Sequence, residues 1–401
     1  MARMMLLAQL VVSIWTLGSA IADSFLCCCG DDALSCLKSH HRARQTTLEG
    51  LRDLPDKKFT MFTYDTKNIL DYALYSFAVN SVYAQHRGYN LVSTTSENGF
   101  EFEPEDQRWN KVKIMEEFVA ALSHRATADE DRYLVWLDSD LVVLNFNVNL
   151  SDIVAQHPHA DLLISADVEP LNGMVNTGCM IVRVSEWSRL FFREWWNATD
   201  RVNGMDQHVF DLIYQRRKVA STQPGHKGTE DDHIESKIAI LPTHALNSHI
   251  PASRHQQPHH NILHLAGESS AVRAFIFKAA FAEVCRAHQL STPADSAFSI
   301  HLKPQLGLSR QFLQNIDYDA VLCVAVHSVW REMQTCTNVT MSDNTGNAVA
   351  HDSVCDISAV LQVRLLLLSQ STFVDLCHLI CCYFDIVSNI TQQYIDSVDL
   401  I

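Results

Sequence analysis

Tyr133-Leu-Val-Trp-Leu-Asp138-Ser-Asp140-Leu-Val-Val-Leu-Asn145 joins two apolar runs through a pair of aspartates spaced i and i+2. The first run is a block of consecutive β-compatible residues, the pattern of a strand covered on both faces. Side chains two apart on an extended segment project to one side, so continued extension predicts that Asp138 and Asp140 converge on one cation. Carboxylates at the edge of a core call for a paired charge or a metal. Hard oxygen ligands favour Mg²⁺ or Mn²⁺, ions that keep positions for water and substrate phosphates. The stretch therefore predicts a metal–diphosphate site. An aspartate pair that only caps the following turn is the plain alternative.

Outward from it, strands and helices alternate. Phe59 to Thr63, Tyr89 to Ser93, Asp161 to Ser165, Gly178 to Arg183 and Lys237 to Leu241 read as strands. Ile69 to Ala84, Trp109 to Leu122, a helix capped by Ser185 and running to Trp196, and Asp206 to Tyr214 read as helices. The alternation predicts an α/β fold with a mostly parallel sheet flanked by helices, whose ligands sit at the carboxyl ends of strands. From about Ala271 the text turns to helical spacing with scattered cysteines and no chemical motif. The apolar run Val360 to Phe384 is interrupted by Arg364 and Asp375, which predicts a buried helix pair and not a membrane span.

The chain has 401 residues and a formal charge of −15, which argues against a nucleic-acid groove. Residues 1–22 have the form of a targeting segment: Arg3, an apolar core from Met4 to Trp15, and Ala20-Ile-Ala22 before Asp23. A cleaved signal peptide and an uncleaved signal anchor both fit, since roughly 17–25 apolar residues span a bilayer. Either way the rest enters the secretory pathway. Sequons at Asn149, Asn197, Asn338 and Asn389 agree with that route. The cysteines flank the centre: Cys27, Cys28, Cys29 and Cys36 on one side, and six from Cys323 to Cys382 on the other. Only Cys179 and Cys285 lie between, so disulfides are expected in the flanks. The expected organisation is a leader at 1–22, a polar stem at 23–55, a nucleotide-binding domain at 56–280 and a helical C-terminal region at 281–401.

Three further segments carry polar groups at element ends: Met174-Val-Asn176-Thr177-Gly178, Met205-Asp206-Gln207 and Asn261-Ile-Leu-His264-Leu-Ala-Gly267. Glycine at 267 falls where a phosphate approaches backbone. Asn176 has an equally simple use as a turn former. The histidine-rich stretch from His226 to His260 has one i,i+4 pair, His255 and His259, interrupted by Pro258; an acceptor-side loop is the expectation there. Trp187, Trp195 and Trp196 on one helix read as core, not as a sugar platform.

In order over about Lys58 to Phe277, these segments resemble the GT-A nucleotide-sugar glycosyltransferases. They are most similar to the fungal Golgi α-galactosyl- and α-mannosyltransferases and the plant xyloglucan xylosyltransferases. Tyr83-Ala-Gln-His86-Arg-Gly88-Tyr89, Trp109-Asn-Lys111, the Asp138-Ser-Asp140 DxD core, Asn176-Thr-Gly178, Trp187-Ser188, Asp206-Gln207, Leu241-Pro242 with Asn247, and His264-Leu-Ala-Gly267 carry the likeness. The resemblance implies a Rossmann-like GT-A domain and a retaining transferase that uses Mn²⁺ or Mg²⁺ in the Golgi lumen. It implies a nucleotide-diphosphate sugar donor, with UDP favoured, and a glycan or glycoprotein acceptor. By it, Asp138, Asp140 and His264 hold the metal and diphosphate. Gln207 lies beside the anomeric carbon, with Asp206 its neighbour in sugar recognition. Thr63, Tyr64, Asp65 and Lys111 meet the nucleotide, with Asn176 and Gly267 lining the donor. One departure stands out: the family's lysine shortly after His-x-x-Gly is replaced by Glu268, Ser269 and Ser270, leaving Arg273 or Lys278 as substitutes.

Two other classes share some of these residues. Asp138-Ser-Asp140-Leu-Val142 fits the first motif of haloacid-dehalogenase-like phosphatases, with Leu163-Ile-Ser165 in the place of the second. The acidic run Glu230-Asp-Asp232, however, sits in a polar loop with no strand before it. An inactive luminal glycan-binding protein on the same fold is the other.

Overall fold

Strand alternation sorts side chains onto the two faces of one sheet. In β1 (Phe59–Asp65), Phe59 and Met61 join one core, while Phe62 and Tyr64 join the other. In β3 (Tyr133–Leu137), Tyr133, Val135 and Leu137 face the first core, and Leu134 and Trp136 the second. The structure, a computed structural model, describes residues 33–123, 131–167, 175–198, 205–221, 234–248 and 261–291. The expectations for the leader, for His226 to His233 and His249 to His260, and for residues 292–401 lie outside these. Among the described residues no helix is long and apolar enough to cross a membrane.

With β2 (Asn90–Thr95), β5 (Leu162–Ser165), β6 (Asn176–Arg183) and β7 (Ile238–Leu241), the main sheet has the order β2-β1-β3-β6-β5-β7. Pairing is parallel except on both sides of β6. The result is the expected mixed, mostly parallel sheet flanked by helices. Reversal of β6 sets Leu137 opposite Cys179, so Gly178 lies at the carboxyl end of β3, where its carbonyl accepts from the Asp138 N–H at 2.8 Å.

The first core is closed by α1 (Ala33–Ala43), α2 (Leu70–Arg87) and α7 (Ser270–Ser291). Every residue of α2 from Tyr72 to Ala84 is buried, as expected for a helix covered on all sides. Tyr72 meets Phe277 of α7 and Tyr75 meets Phe281. α2 ends where Gly88 takes a left-handed φ of 72°, a conformation that costs glycine nothing. The second core is closed by α3 (Asn110–Ser123), α5 (Glu186–Trp196) and α6 (Asp206–Ser221), while Leu150 and Val154 of α4 (Leu150–Ala155) belong to the first. The Ser185 hydroxyl accepts from the Ser188 N–H at 3.1 Å, as the cap predicted.

Two strands stand apart from the main sheet. β4 (Leu141–Val143) pairs antiparallel with β8 (Ile262–His264), and the register sets Leu141 opposite His264. Helix α2 satisfies further polar groups of β4. Asn80 donates to the Leu141 carbonyl at 2.9 Å and accepts from the Val143 N–H at 2.8 Å, and Ser76 donates to the same carbonyl at 2.5 Å.

Residues 33–51, expected within a polar stem, fold onto the domain. Leu37 and His41 of α1 are buried, Gln45 bridges to Ser93 beside β2, and a helical turn at Leu48–Leu51 buries Leu51. The apolar spacing of Leu37, Leu48 and Leu51 is short and spread over two elements. No single period announces it.

Candidate active site

β3 ends at Leu137, and Asp138 to Leu141 forms a turn closed by the Leu141 N–H on the Asp138 carbonyl at 3.1 Å. The two aspartates thus converge through a turn, and not through the strand alternation that the spacing suggested. Asp138 does stay on the Trp136 face, where the indole N–H donates to Oδ1 at 2.6 Å. The β4–β8 register then delivers His264, with Nε2 3.2 Å from Asp140 Oδ1 and 3.9 Å from Asp138 Oδ2.

One ligand atom from each of Asp138, Asp140 and His264 lies within 4.8 Å of the others. Two hard oxygen donors with one imidazole suit Mn²⁺ or Mg²⁺. The orientation of His264 suits a ligand too: its Nδ1 meets Asn247 Oδ1 at 2.9 Å, which turns Nε2 toward the carboxylates. A Cβ on residue 178 would fall 2.2 Å from His264 Cε1, so glycine there makes room for the ring. These residues fit a divalent cation.

Charge around the turn is arranged in layers. Lys111, in the first turn of α3, reaches Asp206 Oδ2 at 2.9 Å, Asp138 Oδ2 at 3.4 Å and Thr177 Oγ1 at 3.1 Å. Thr177 in turn donates to Asp206 Oδ2 at 2.8 Å. Burial works against the Lys111 charge, but Asp138 and Asp206 outweigh it and raise its pKa. Burial raises the pKa of Asp138, against Lys111 and with the help of neighbouring Asp140. Burial pushes Asp140 the same way, yet His264 and Arg273 outweigh it and hold Asp140 below the usual carboxylate range. Burial disfavours a charged His264, while Asp140 and then Asp138 raise its pKa.

A second polar group beside the turn is built on Asp206, Gln207, Asn176 and Asp167. Trp195 is fully buried, and its indole N–H donates to the Asp206 carbonyl at 3.0 Å; the tryptophan is core, as expected, and also fixes the start of α6. Gln207 Nε2 donates to Asp167 Oδ2 at 2.8 Å, and Asn176 Nδ2 to Asp167 Oδ1 at 3.2 Å. Asn176 also accepts from the Gly178 N–H at 2.9 Å, so it holds backbone as a turn former does. The sequence did not single out Asp167. Its only signal is a position two residues beyond β5, at a strand's carboxyl end.

The expected nucleotide contacts divide. Thr63 and Tyr64 are buried at the end of β1, and Asn110 donates to the Tyr64 hydroxyl at 3.4 Å. Asp65 is 2% exposed and faces protein. Gly267 has a φ of 77° and nothing within 4 Å of where a Cβ would stand, so its backbone is open to a ligand. Of the two substitutes for the family's lysine, Lys278 is exposed on α7. Arg273 points into the site. Its guanidinium meets Asp140 Oδ2 at 2.7 Å, the Leu265 carbonyl at 3.1 Å and the Tyr72 hydroxyl at 3.1 Å.

Residues 78–272 match the nucleotide-diphospho-sugar transferase family. Among solved structures the chain is similar to a glycosyltransferase involved in the glycosylation of the major capsid of PBCV-1. Identity there is 19%, over 55% of this chain and 99% of that one, with a TM-score of 0.42. It is similar to the glycosyltransferase GlyE of Streptococcus pneumoniae TIGR4, at 13% identity over 60% and 66% of the two chains and a TM-score of 0.37. The galactosyltransferase LgtC, solved with donor and acceptor sugar analogs, is 12% identical over 59% and 98%, with a TM-score of 0.31. A comparison with curated proteins found no match. The fold is of the GT-A, Rossmann-like class. Within it, the family match and the Asp138–Asp140–His264 cluster support a nucleotide-sugar glycosyltransferase.

Proposed function

We propose that the chain is a metal-dependent, retaining glycosyltransferase that moves a hexose or pentose from a nucleotide-diphosphate sugar, with UDP favoured, to a glycan or glycoprotein acceptor. The observation that carries this reading is the cluster of Asp138, Asp140 and His264 inside the matched segment. A divalent ion there supplies positive charge against the diphosphate as negative charge accumulates on it. Arg273 lies on Asp140 Oδ2 and contributes fixed positive charge in place of the family's lysine. Lys111 pairs with both Asp138 and Asp206 and holds the two carboxylates in place.

In the transfer, the bond from the anomeric carbon to the diphosphate oxygen breaks and the nucleoside diphosphate keeps the electron pair. The acceptor hydroxyl bonds to the carbon on the same face, and its proton passes to the departing diphosphate. Gln207 supports this front-face course. With Nε2 committed to Asp167, the other end of its amide is Oε1, a neutral acceptor suited to an oxocarbenium-like carbon.

The secretory lumen remains the proposed setting. The leader, the sequons and the disulfide-bonded state of Cys36 and Cys285 agree with it, while Cys179 in the core is free. Asn197 is exposed at the end of α5, and Asn149 caps α4 through Ser151.

The test incubates purified protein with a panel of nucleotide sugars and Mn²⁺ and follows nucleoside diphosphate release. Release that disappears with EDTA and with Asp140→Ala supports the transferase. A phosphoaspartyl adduct at Asp138 would establish the phosphatase class instead, and glycan binding without turnover the inactive lectin-like protein.

A further inference from the structure

We propose that His41 of α1 is a positioning residue for the Asp138–Asp140 turn, acting through Asp65 and Ser139. The proposal rests on reading that turn as the donor site. Asp65 ends β1 behind the turn, and both of its oxygens are occupied by protein. His41 Nε2 lies 2.7 Å from Oδ2, and the Ser93 hydroxyl donates to the same oxygen at 3.0 Å. The Ser139 hydroxyl donates to Oδ1 at 2.7 Å, with Thr63 Oγ1 at 3.4 Å from it.

A carboxylate this deeply buried needs its lone pairs matched by donors, or its charge is too costly to keep. His41 and Ser93 supply that match on one oxygen, which leaves the other to hold Ser139. Ser139 is the middle residue of the aspartate triplet. With its hydroxyl held toward β1, near the Tyr64 carbonyl at 2.8 Å as well, its two neighbours lie on the side of Lys111, His264 and Arg273. His41 is itself fixed, edge-on to Phe77 of α2 with ring centroids 5.0 Å apart. Helix α1 lies outside the matched segment 78–272, so the tie to the site comes from this chain's own N-terminal element. Asp65, assigned to the nucleotide by resemblance, belongs in this structure to a buried link between α1 and the turn.

The test uses the full chain with His41→Ala and His41→Gln, since a glutamine amide keeps a donor near the position of Nε2. Two quantities are read: amide hydrogen exchange over residues 138–141, and Mn²⁺ affinity. His41→Ala is expected to speed exchange in the turn and weaken Mn²⁺ binding by roughly tenfold each, the fold-change of one lost hydrogen bond to a charge. His41→Gln should recover most of both. Unchanged exchange at 138–141 in His41→Ala would overturn the proposal, and so would a loss of protection spread evenly over the sheet. If the wild-type protein binds no Mn²⁺, the donor-site reading fails, while the exchange measurement still decides on the link.

Discussion

The imidazole of His264 occupies the space that a side chain on Gly178 would fill, with Cε1 2.2 Å from the ideal Cβ position. Gly178 belongs to β6 and His264 to β8, strands of two different sheets. Their contact seats the metal-ligand candidate over the carboxyl end of β3. Replacing Gly178 by alanine forces the ring aside. Overpacking of this kind costs about 1–3 kcal/mol. Gly178→Ala is therefore expected to lower the unfolding midpoint modestly and to abolish Mn²⁺ binding. Thermal unfolding and Mn²⁺ titration by electron paramagnetic resonance check the two effects separately.

Lys111 is the cation shared by Asp138 and Asp206, and its side chain is 8% exposed. Removing one partner of a buried ion network leaves uncompensated charge, at a cost of about 3–5 kcal/mol. Lys111→Met should lose that much in urea unfolding. Adding Asp206→Asn should recover part of it, because the stranded carboxylate is then gone.

Arg273 bonds Asp140 and a backbone carbonyl from the same guanidinium. Lysine has no such fork, so the two substitutions separate charge from geometry. Arg273→Ala should weaken Mn²⁺-dependent UDP binding by roughly tenfold or more, the worth of one charged hydrogen bond. Arg273→Lys should fall between it and the wild type. Calorimetric titration of UDP with and without Mn²⁺ measures both.

Glu116 of α3 accepts from Lys113 at 2.8 Å and from Arg193 of α5 at 2.8 Å. Burial raises its pKa, but Lys113 and Arg193 outweigh that and hold it below its ordinary 4.5. A carboxyl lowered on folding contributes stability that is fully present above its unfolded pKa and is lost as pH falls through the folded one. Unfolding midpoints should therefore drop below pH 4.5 more steeply for the wild type than for Glu116→Gln. Equal slopes would remove Glu116 from the acid sensitivity.

Local residue chemistry was enough to identify the strands, the capped helix at Ser185 and the ordered polar segments. Apolar runs and a serine cap act through their own backbone, so they can be read without neighbours. Asp138 and Asp140 were legible from their place after an apolar strand, whereas His264 and Lys111, at a strand end and a helix start, joined them through the family resemblance. The fate of Asp65 was not readable: its partner His41 lies 24 residues away in a segment whose composition reads as a stem. Asp167 and Asn80 were equally silent, since each matters only through a side chain remote in sequence.

Covalent order alone carries the alternating α/β plan and the aspartate triplet after the apolar strand, because it sets side-chain period and spacing. The folded chain adds that the aspartates meet in a turn, and that β6 runs backward to bring Gly178 beside Asp138. It also pairs β4 with β8 in the register that sets His264 over Asp140. Those are long-range pairings, chosen by which faces can be buried and which buried polar groups can be satisfied together.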